Sequence, residues 1–211
     1  MHVTLVDICW TLYSSNTTYD FCRYVAGEDM VCAPMSRWLR RINVFIYRLT
    51  GIDMYKSSLV NSLKGMSRQT LEVKAQTFVD EFLEQRRIAP VWNIMPRSNV
   101  VLLSATLDIV AEQVAKHIGA LRFCATQLNF DNEGLCQGTI SNDLQQRKHL
   151  AVDYDDYDIF TDNHSDIALI SRARHATIVV YGNHDRWSRT LKKHHVDVSK
   201  VTFIYASTPR Y

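Results

Sequence analysis

The stretch that most restricts this chain lies at its start. Val3-Thr4-Leu5-Val6 is a short apolar run rich in β-branched residues, and it stops at one carboxylate, Asp7. Thr11 follows four residues later. Such a run reads as a short buried strand, which puts Asp7 where strand meets loop. In an open α/β sheet, ligands bind in the crevice outside the carboxyl ends of the strands. A carboxylate there can attack an electrophile or hold a hard cation, and it can equally cap the next turn. The rest of the chain decides between these uses.

With 46% hydrophobic residues in 211, the chain can build one good core, or a core with a small second domain. Twenty-four basic and 22 acidic residues leave a net charge of +2, without the clearly basic balance of a nucleic-acid binder. The five cysteines are scattered with no C-x-x-C pair, so neither a disulfide framework nor a structural zinc site is suggested. No apolar run has the length of a membrane span, and the first residues lack the pattern of a signal peptide. The expectation is a reduced, soluble, cytoplasmic protein.

The order of patterns then sets the architecture. Residues 19–26 read as a short helix capped by Thr17 or Thr18, and 55–63 as another stopped at Gly65. Residues 70–87 read as a helix capped by Ser67, with Leu71, Ala75, Phe78, Val79, Phe82 and Leu83 at three- and four-residue steps. Between these, 36–49 carries Trp38, Leu39, Ile42, Phe45, Ile46 and Leu49 at helical spacing, with Arg37, Arg40, Arg41 and Arg48 elsewhere. That pattern suits a helix buried along one stripe, or a basic helix lying on a membrane surface. Residues 16–91 therefore read as a helical insert placed directly after the first strand.

From residue 92 the pattern alternates. Strands are expected at 99–103, ending at Ser104, at 121–125, at 157–161, ending at Asp162, at 177–181 and at 201–205. Helices are expected at 107–118, at 144–152 with Lys148, at 167–173 and at 187–194. Asp131-Asn132-Glu133-Gly134, flanked by alternating residues, marks a hairpin. The acidic run Asp153, Asp155, Asp156, Asp158 reads as a solvated loop. The prediction is an α/β fold: a Rossmann-like core of 1–15 and 92–211, with a mostly parallel sheet flanked by helices, and an α-helical insert at 16–91.

Three of these strands end in groups with useful chemistry: Asp7, Ser104 and Asp162. Lys148 lies between the last two, and Asp166 follows Asp162 by four residues. In a parallel sheet such ends share one edge, so the groups can converge. Carboxylates gathered at one point repel unless a cation joins them, and oxygen ligands at a partly open site suit Mg2+. A lysine and a hydroxyl beside them suit phosphoryl oxygens, and one carboxylate can attack phosphorus to form an aspartyl phosphate. Singly, each residue has a plainer use: Ser104 as a helix cap, Lys148 as a solvated lysine, Asp162 as a turn residue.

In these residues the sequence resembles the haloacid-dehalogenase-like (HAD) hydrolases, in particular the branch close to phosphoserine phosphatase. Asp7-Ile8-Cys9-Trp10-Thr11 follows that family's first motif, Asp-x-Asp-x-Thr, at all but one position. Residues 100–104 are similar to its second motif, Lys148 to its third, and Asp162 with Asp166 to its fourth. Leu63-Lys64-Gly65-Met66-Ser67 and 134–138 also look like segments of this branch. The resemblance implies a HAD core with the insert as cap, Mg2+ as cofactor and a small phosphorylated substrate. It implies Asp7 as nucleophile and metal ligand, with Asp162, the Cys9 carbonyl and Asp166 completing the metal shell. Thr11, Ser104, Ala105 and Lys148 would surround the phosphoryl group.

Cys9 stands where the family has its acid–base Asp. A thiol among anions has a raised pKa and is a poor base, and losing a positioned acid–base group costs about 10²–10⁴ in rate. His164, beside Asp162, is either a substitute proton carrier or an exposed loop histidine. Trp10 stands where a small residue is usual. Asn16 replaces the Glu of phosphoserine phosphatases, and Leu59 lies near the place of their cap arginine, so phosphoserine is not the expected substrate. Three functions remain: a phosphatase of reduced turnover, a catalytically degenerate relative that binds a phosphorylated ligand or protein partner, and a phosphatase for a lipid-linked phosphate approached through 36–49.

Overall fold

The computed structural model describes residues 2–27, 53–182 and 184–207; the basic helix expected at 36–49 lies outside them. Among the described residues seven strands form one sheet: β1 (Val3–Val6), β2 (Val100–Leu107), β3 (Arg122–Phe130), β4 (Cys136–Asn142), β5 (Tyr157–Thr161), β6 (Ala176–Tyr181) and β7 (Val201–Ala206). Their order is β4-β3-β2-β1-β5-β6-β7. Neighbours run parallel except the β3–β4 hairpin. The first strand of the sequence is therefore the middle strand of the sheet.

Side chains alternate across a strand, and here both faces are apolar. Val6, Val100 and Leu102 enter one core cluster, while Val3, Leu5, Val101 and Leu103 enter the other. The first face is covered by α1 (Thr17–Ala26), α2 (Met54–Asn61), α3 (Arg68–Thr77), α4 (Ala89–Ile94) and α5 (Asp108–Ile118). The second is covered by α6 (Ile167–Arg172) and α7 (Asp185–Lys193). Burial on both sides is why β1 carries no polar face.

Several elements differ from the sequence reading in instructive ways. Asn16, not Thr17 or Thr18, caps α1, accepting from the Tyr19 amide at 3.3 Å. Ser67 caps α3 as expected, accepting from the Thr70 amide at 3.1 Å. The helix read through 87 changes form after Thr77: Phe78–Leu83 is π-helical and Glu84–Arg86 is a 3-10 turn. Phe78 and Phe82, four residues apart, stack at 4.8 Å. β2 does not stop at Ser104 but runs on to Leu107, so Ser104 caps nothing and α5 starts without a side-chain cap. β3 unites the strand expected at 121–125 with the first arm of the hairpin. Lys148 opens a short 3-10 turn, Lys148–Ala151, rather than riding a helix over 144–152.

The insert is tied to the sheet by main chain. The Cys136 amide donates to Met66 O at 2.8 Å, the Gly65 amide to Cys136 O at 2.8 Å, and the Arg68 amide to Gly134 O at 2.9 Å. The two segments that resembled one family branch thus lie side by side. Part of the acidic run also has a structural use: His2 bridges Asp156 and Asp158 at 3.2 and 3.1 Å. Among the described residues no helix is long and apolar enough to cross a membrane, and the four described cysteines are unpaired.

Candidate active site

Strand register brings the site residues level. Val6 pairs with Leu102 on β2 and with Phe160 on β5. Asp7 lies one residue beyond that line, and Ser104 and Asp162 lie two beyond it. A cavity of 180 Å³ opens there, lined by Asp7, Cys9, Ser104, Ala105, Lys148 and Asp162. Thr11 and Asp166 are buried beside it.

Lys148 is the hub. Its side chain is 3% exposed, and Nζ donates to Asp7 Oδ2 at 2.5 Å and to Asp166 Oδ2 at 2.9 Å. The Thr161 hydroxyl holds the same Asp166 oxygen at 2.7 Å. Asp166 therefore reaches the cavity through Lys148. The other Asp7 oxygen accepts the Ile8 amide at 2.7 Å. Burial works against the Lys148 charge, but Asp7 and Asp166 outweigh it and hold the ammonium above its ordinary range.

The charges do not balance. Two buried carboxylates, Asp7 and Asp166, and a partly exposed one, Asp162, gather around one ammonium. Burial pushes the Asp7 carboxyl up despite Lys148. Burial first, and then the Asp7 charge, push Asp162 up to about 8. Asp162 accepts a long hydrogen bond from the Thr11 hydroxyl at 3.4 Å. Thr11 does not itself line the cavity.

Among the described residues no three Asp, Glu, His or Cys side chains form a ready-made metal cage. Mg2+ needs none, since it is held by one or two carboxylates and keeps waters or phosphate oxygens as further ligands. Two carboxylates that repel each other across one cavity are relieved by a divalent cation, so Asp7 and Asp162 fit Mg2+.

Cys9 is engaged rather than free. Its Sγ lies 2.8 Å from Thr17 Oγ1 and 3.1 Å from Thr106 Oγ1. Thr17 and Thr106 are themselves 2.5 Å apart, and Ser104 Oγ is 3.0 Å from Thr106 Oγ1. Burial, then the Asp7 charge, push the thiol pKa up, so it stays protonated. Trp10 holds a left-handed backbone with φ 55°, a conformation that side chains with a Cβ rarely adopt. The Tyr181 hydroxyl donates to its carbonyl at 2.9 Å, and the two rings meet edge-on at 5.6 Å. His164 stacks on Trp187 at 3.8 Å, and its Nδ1 lies 3.3 Å from Thr190 Oγ1, so it faces α7 and does not line the cavity.

Sequence reasoning missed the side of the cavity that faces the insert. Thr18, Tyr19, Lys56, Gln145 and Asn163 also line it, beside Asn16, which the sequence had singled out. Lys56 is 4% exposed and binds both Asp143 oxygens, at 2.9 and 3.0 Å. The available signal was its spacing: it lies three and four residues before the buried Leu59 and Val60, which puts a cation on the inward face of α2. Leu59 itself packs in the core.

Neither a family model nor a curated protein matches the sequence. Solved structures do match. A Bordetella pertussis Tohama I protein of unknown function aligns at 14% identity over 95% of this chain and 97% of its own, with a TM-score of 0.69. A cytosolic 5'-nucleotidase IIIB bound to cytidine aligns at 10% identity over 98% of this chain and 81% of its own, with a TM-score of 0.58. A HAD family hydrolase from Salmonella enterica serovar Typhi aligns at 11% identity over 89% of this chain and 65% of its own, with a TM-score of 0.56. At these identities the likeness speaks for architecture, and it agrees with the order of motifs along the strands: the chain has the fold of the HAD hydrolases.

Proposed function

We propose that this protein is a Mg2+-dependent phosphomonoester hydrolase that forms an aspartyl phosphate on Asp7, with turnover slowed by Cys9. The observation that carries the reading is the arrangement at the sheet edge. Asp7 is oriented by Lys148 and the Ile8 amide, and Asp162 lies beside it with its carboxyl pushed up by desolvation and by the Asp7 charge. Residues 16–91 serve as the cap over this edge, and a small phosphorylated metabolite is the substrate class.

In this reading Asp7 attacks phosphorus, the ester P–O bond breaks, and the leaving oxygen takes up a proton from the Cys9 thiol or from water; water then attacks the aspartyl phosphate, releasing inorganic phosphate and restoring Asp7. Lys148 and the Ser104 hydroxyl bind phosphoryl oxygens, and Lys148 offsets the Asp7 charge. Mg2+, held by Asp7, Asp162 and the Cys9 carbonyl, would screen the negative charge between carboxylates and phosphate. Asp166 and Thr161 keep Lys148 in place through the contacts described above.

A second reading, ligand binding without turnover, is favoured by one observation: the Cys9 thiol is bonded to two hydroxyls and held protonated. Hydrolysis of an aryl phosphate separates the two. Turnover that needs Mg2+, disappears in Asp7→Asn and increases in Cys9→Asp supports the phosphatase. Phosphate-ester binding with no turnover in either wild type or Cys9→Asp supports the binding protein.

A further inference from the structure

The 180 Å³ cavity at Asp7 is smaller than the range of about 300–1,000 Å³ usual for a whole ligand. A second cavity of 660 Å³ adjoins it, between α2 and the strand β4 with the loop that follows. Lys56 and Gln145 line both, so they form the shared wall. We propose, on the basis of the phosphatase reading above, that the leaving group runs past Lys56 and Gln145 into this second chamber, and that the substrate is the phosphomonoester of an extended, neutral, hydroxyl-rich alcohol such as a sugar or polyol.

Charge and chemistry of the lining argue for that class. Among the described residues, two acids, Asp53 and Asp143, meet two bases, Lys56 and Arg147, so the chamber carries no net charge. Lys56, which lines both cavities, is already neutralised by both Asp143 oxygens. A second anionic group on the substrate would have to displace Asp143 to reach it. What the walls offer instead are neutral groups: the Gln145 and Gln146 amides, and the Ser57 and Ser141 hydroxyl oxygens as acceptors, since these hydroxyls donate to Asp53 O and Gln127 O. Neutral hydroxyls satisfy such groups without a desolvation penalty for charge.

The test compares hexose 6-phosphate, glycolate 2-phosphate, hexose 1,6-bisphosphate and a nucleoside 5'-monophosphate, with Mg2+. Binding is read by tryptophan fluorescence, since Trp10 lines the catalytic cavity, and kcat/KM is read in parallel. Wild type should favour the hexose 6-phosphate over the glycolate ester by about tenfold, as one or two neutral hydrogen bonds provide. Ser57→Trp on α2 and Ser141→Trp on β4 fill the chamber from opposite walls, at exposed positions that tolerate a large ring. In either folded variant the preference should fall to near one.

Three results would overturn the inference while leaving the phosphatase reading intact. They are no preference for the longer ester, a preference that survives both variants, and tighter use of the bisphosphate or the nucleotide. Failure to bind or hydrolyse any of the four esters, in wild type and in Cys9→Asp alike, would remove both.

Discussion

Cys9 affects the two proton transfers of an aspartyl-phosphate cycle unequally. The first step asks a side chain to give a proton to the leaving oxygen, and a protonated thiol has one to give. The second asks the same side chain to take a proton from water. Burial and the nearby Asp7 charge raise the thiol pKa, so thiolate is scarce near neutrality and this step suffers more. An aryl phosphate needs little help in the first step, because a phenolate leaves unprotonated. Rapid-quench measurements should therefore show a burst of about one phenolate per protein followed by a slow steady state, the sign of an accumulating covalent intermediate. Cys9→Asp should abolish the burst and raise the steady rate by about 10²–10⁴. A linear time course in wild type, with no burst, would mean that the first step is the slow one. The departure at Cys9 was legible in the sequence, because the motif around it is local. Its partners Thr17 and Thr106 were not, because α1 and β2 bring them there from 8 and 97 residues away.

Elements were legible where one physical signal governed them. β5 could be read to the residue because an apolar run meets a carboxylate, and α5 ends at Gly119, whose φ of 68° is the left-handed stop that glycine supplies. β2 was read four residues short because Ser104, Ala105 and Thr106 look like a strand end; they are mostly buried and sit in an irregularity of the ladder, which resumes at Leu107. The π-helical turn at Phe78–Leu83 leaves the same apolar spacing as an α-helix over so short a run. Lys56 was missed because a lone lysine on a helix is usually solvated. Its pairing with Asp143 ties α2 to the loop that carries Lys148, so this contact joins insert and site. Lys56→Met should cost about 1–2 kcal/mol, less than a fully buried pair because Asp143 stays 38% exposed to water. Denaturant unfolding of Lys56→Met, Asp143→Asn and the double variant should show non-additivity; strictly additive losses would mean the pair is not coupled. Gly138 tests the same seam from the strand side. Its φ is 70°, and a Cβ there would lie 3.0 Å from Asn61 Cα and from Lys64 Cβ. Gly138→Ala should destabilise by about 1–3 kcal/mol, from left-handed strain plus the push against α2. Unchanged stability would show that α2 shifts away freely.

At the scale of the whole molecule, the sheet that collects chemistry at its edge also collects charge there, and stability should register it. Asp7, Asp162 and Asp166 converge on one ammonium because β1 and β5 are adjacent and in register, a placement the core enforces whatever the repulsion. In the metal-free protein Asp162 holds its proton up to about 8, against a usual value of 3.8. A carboxyl whose folded pKa is raised contributes stability that is complete below the unfolded value and is lost as pH rises through the folded one. Without metal, wild type should therefore lose stability from about pH 4 to about pH 8 on account of this group, then level off. Asp162→Asn is neutral at every pH and keeps the shape. It should match wild type near pH 4 and exceed it increasingly toward pH 8, by about 2–4 °C in Tm for each kcal/mol relieved in a chain of this size. Mg2+ should narrow the gap at pH 8. Wild type gains about 2.7 kcal/mol when the free ion is at a hundred times its Kd, and the variant, having lost a ligand, gains much less. Scanning calorimetry with chelator and with Mg2+, at the two ends of that pH range, decides the matter. A metal-free variant less stable than wild type at pH 8 would show that the Asp162 charge is compensated within the protein, and the case for a cation between Asp7 and Asp162 would lose its electrostatic basis.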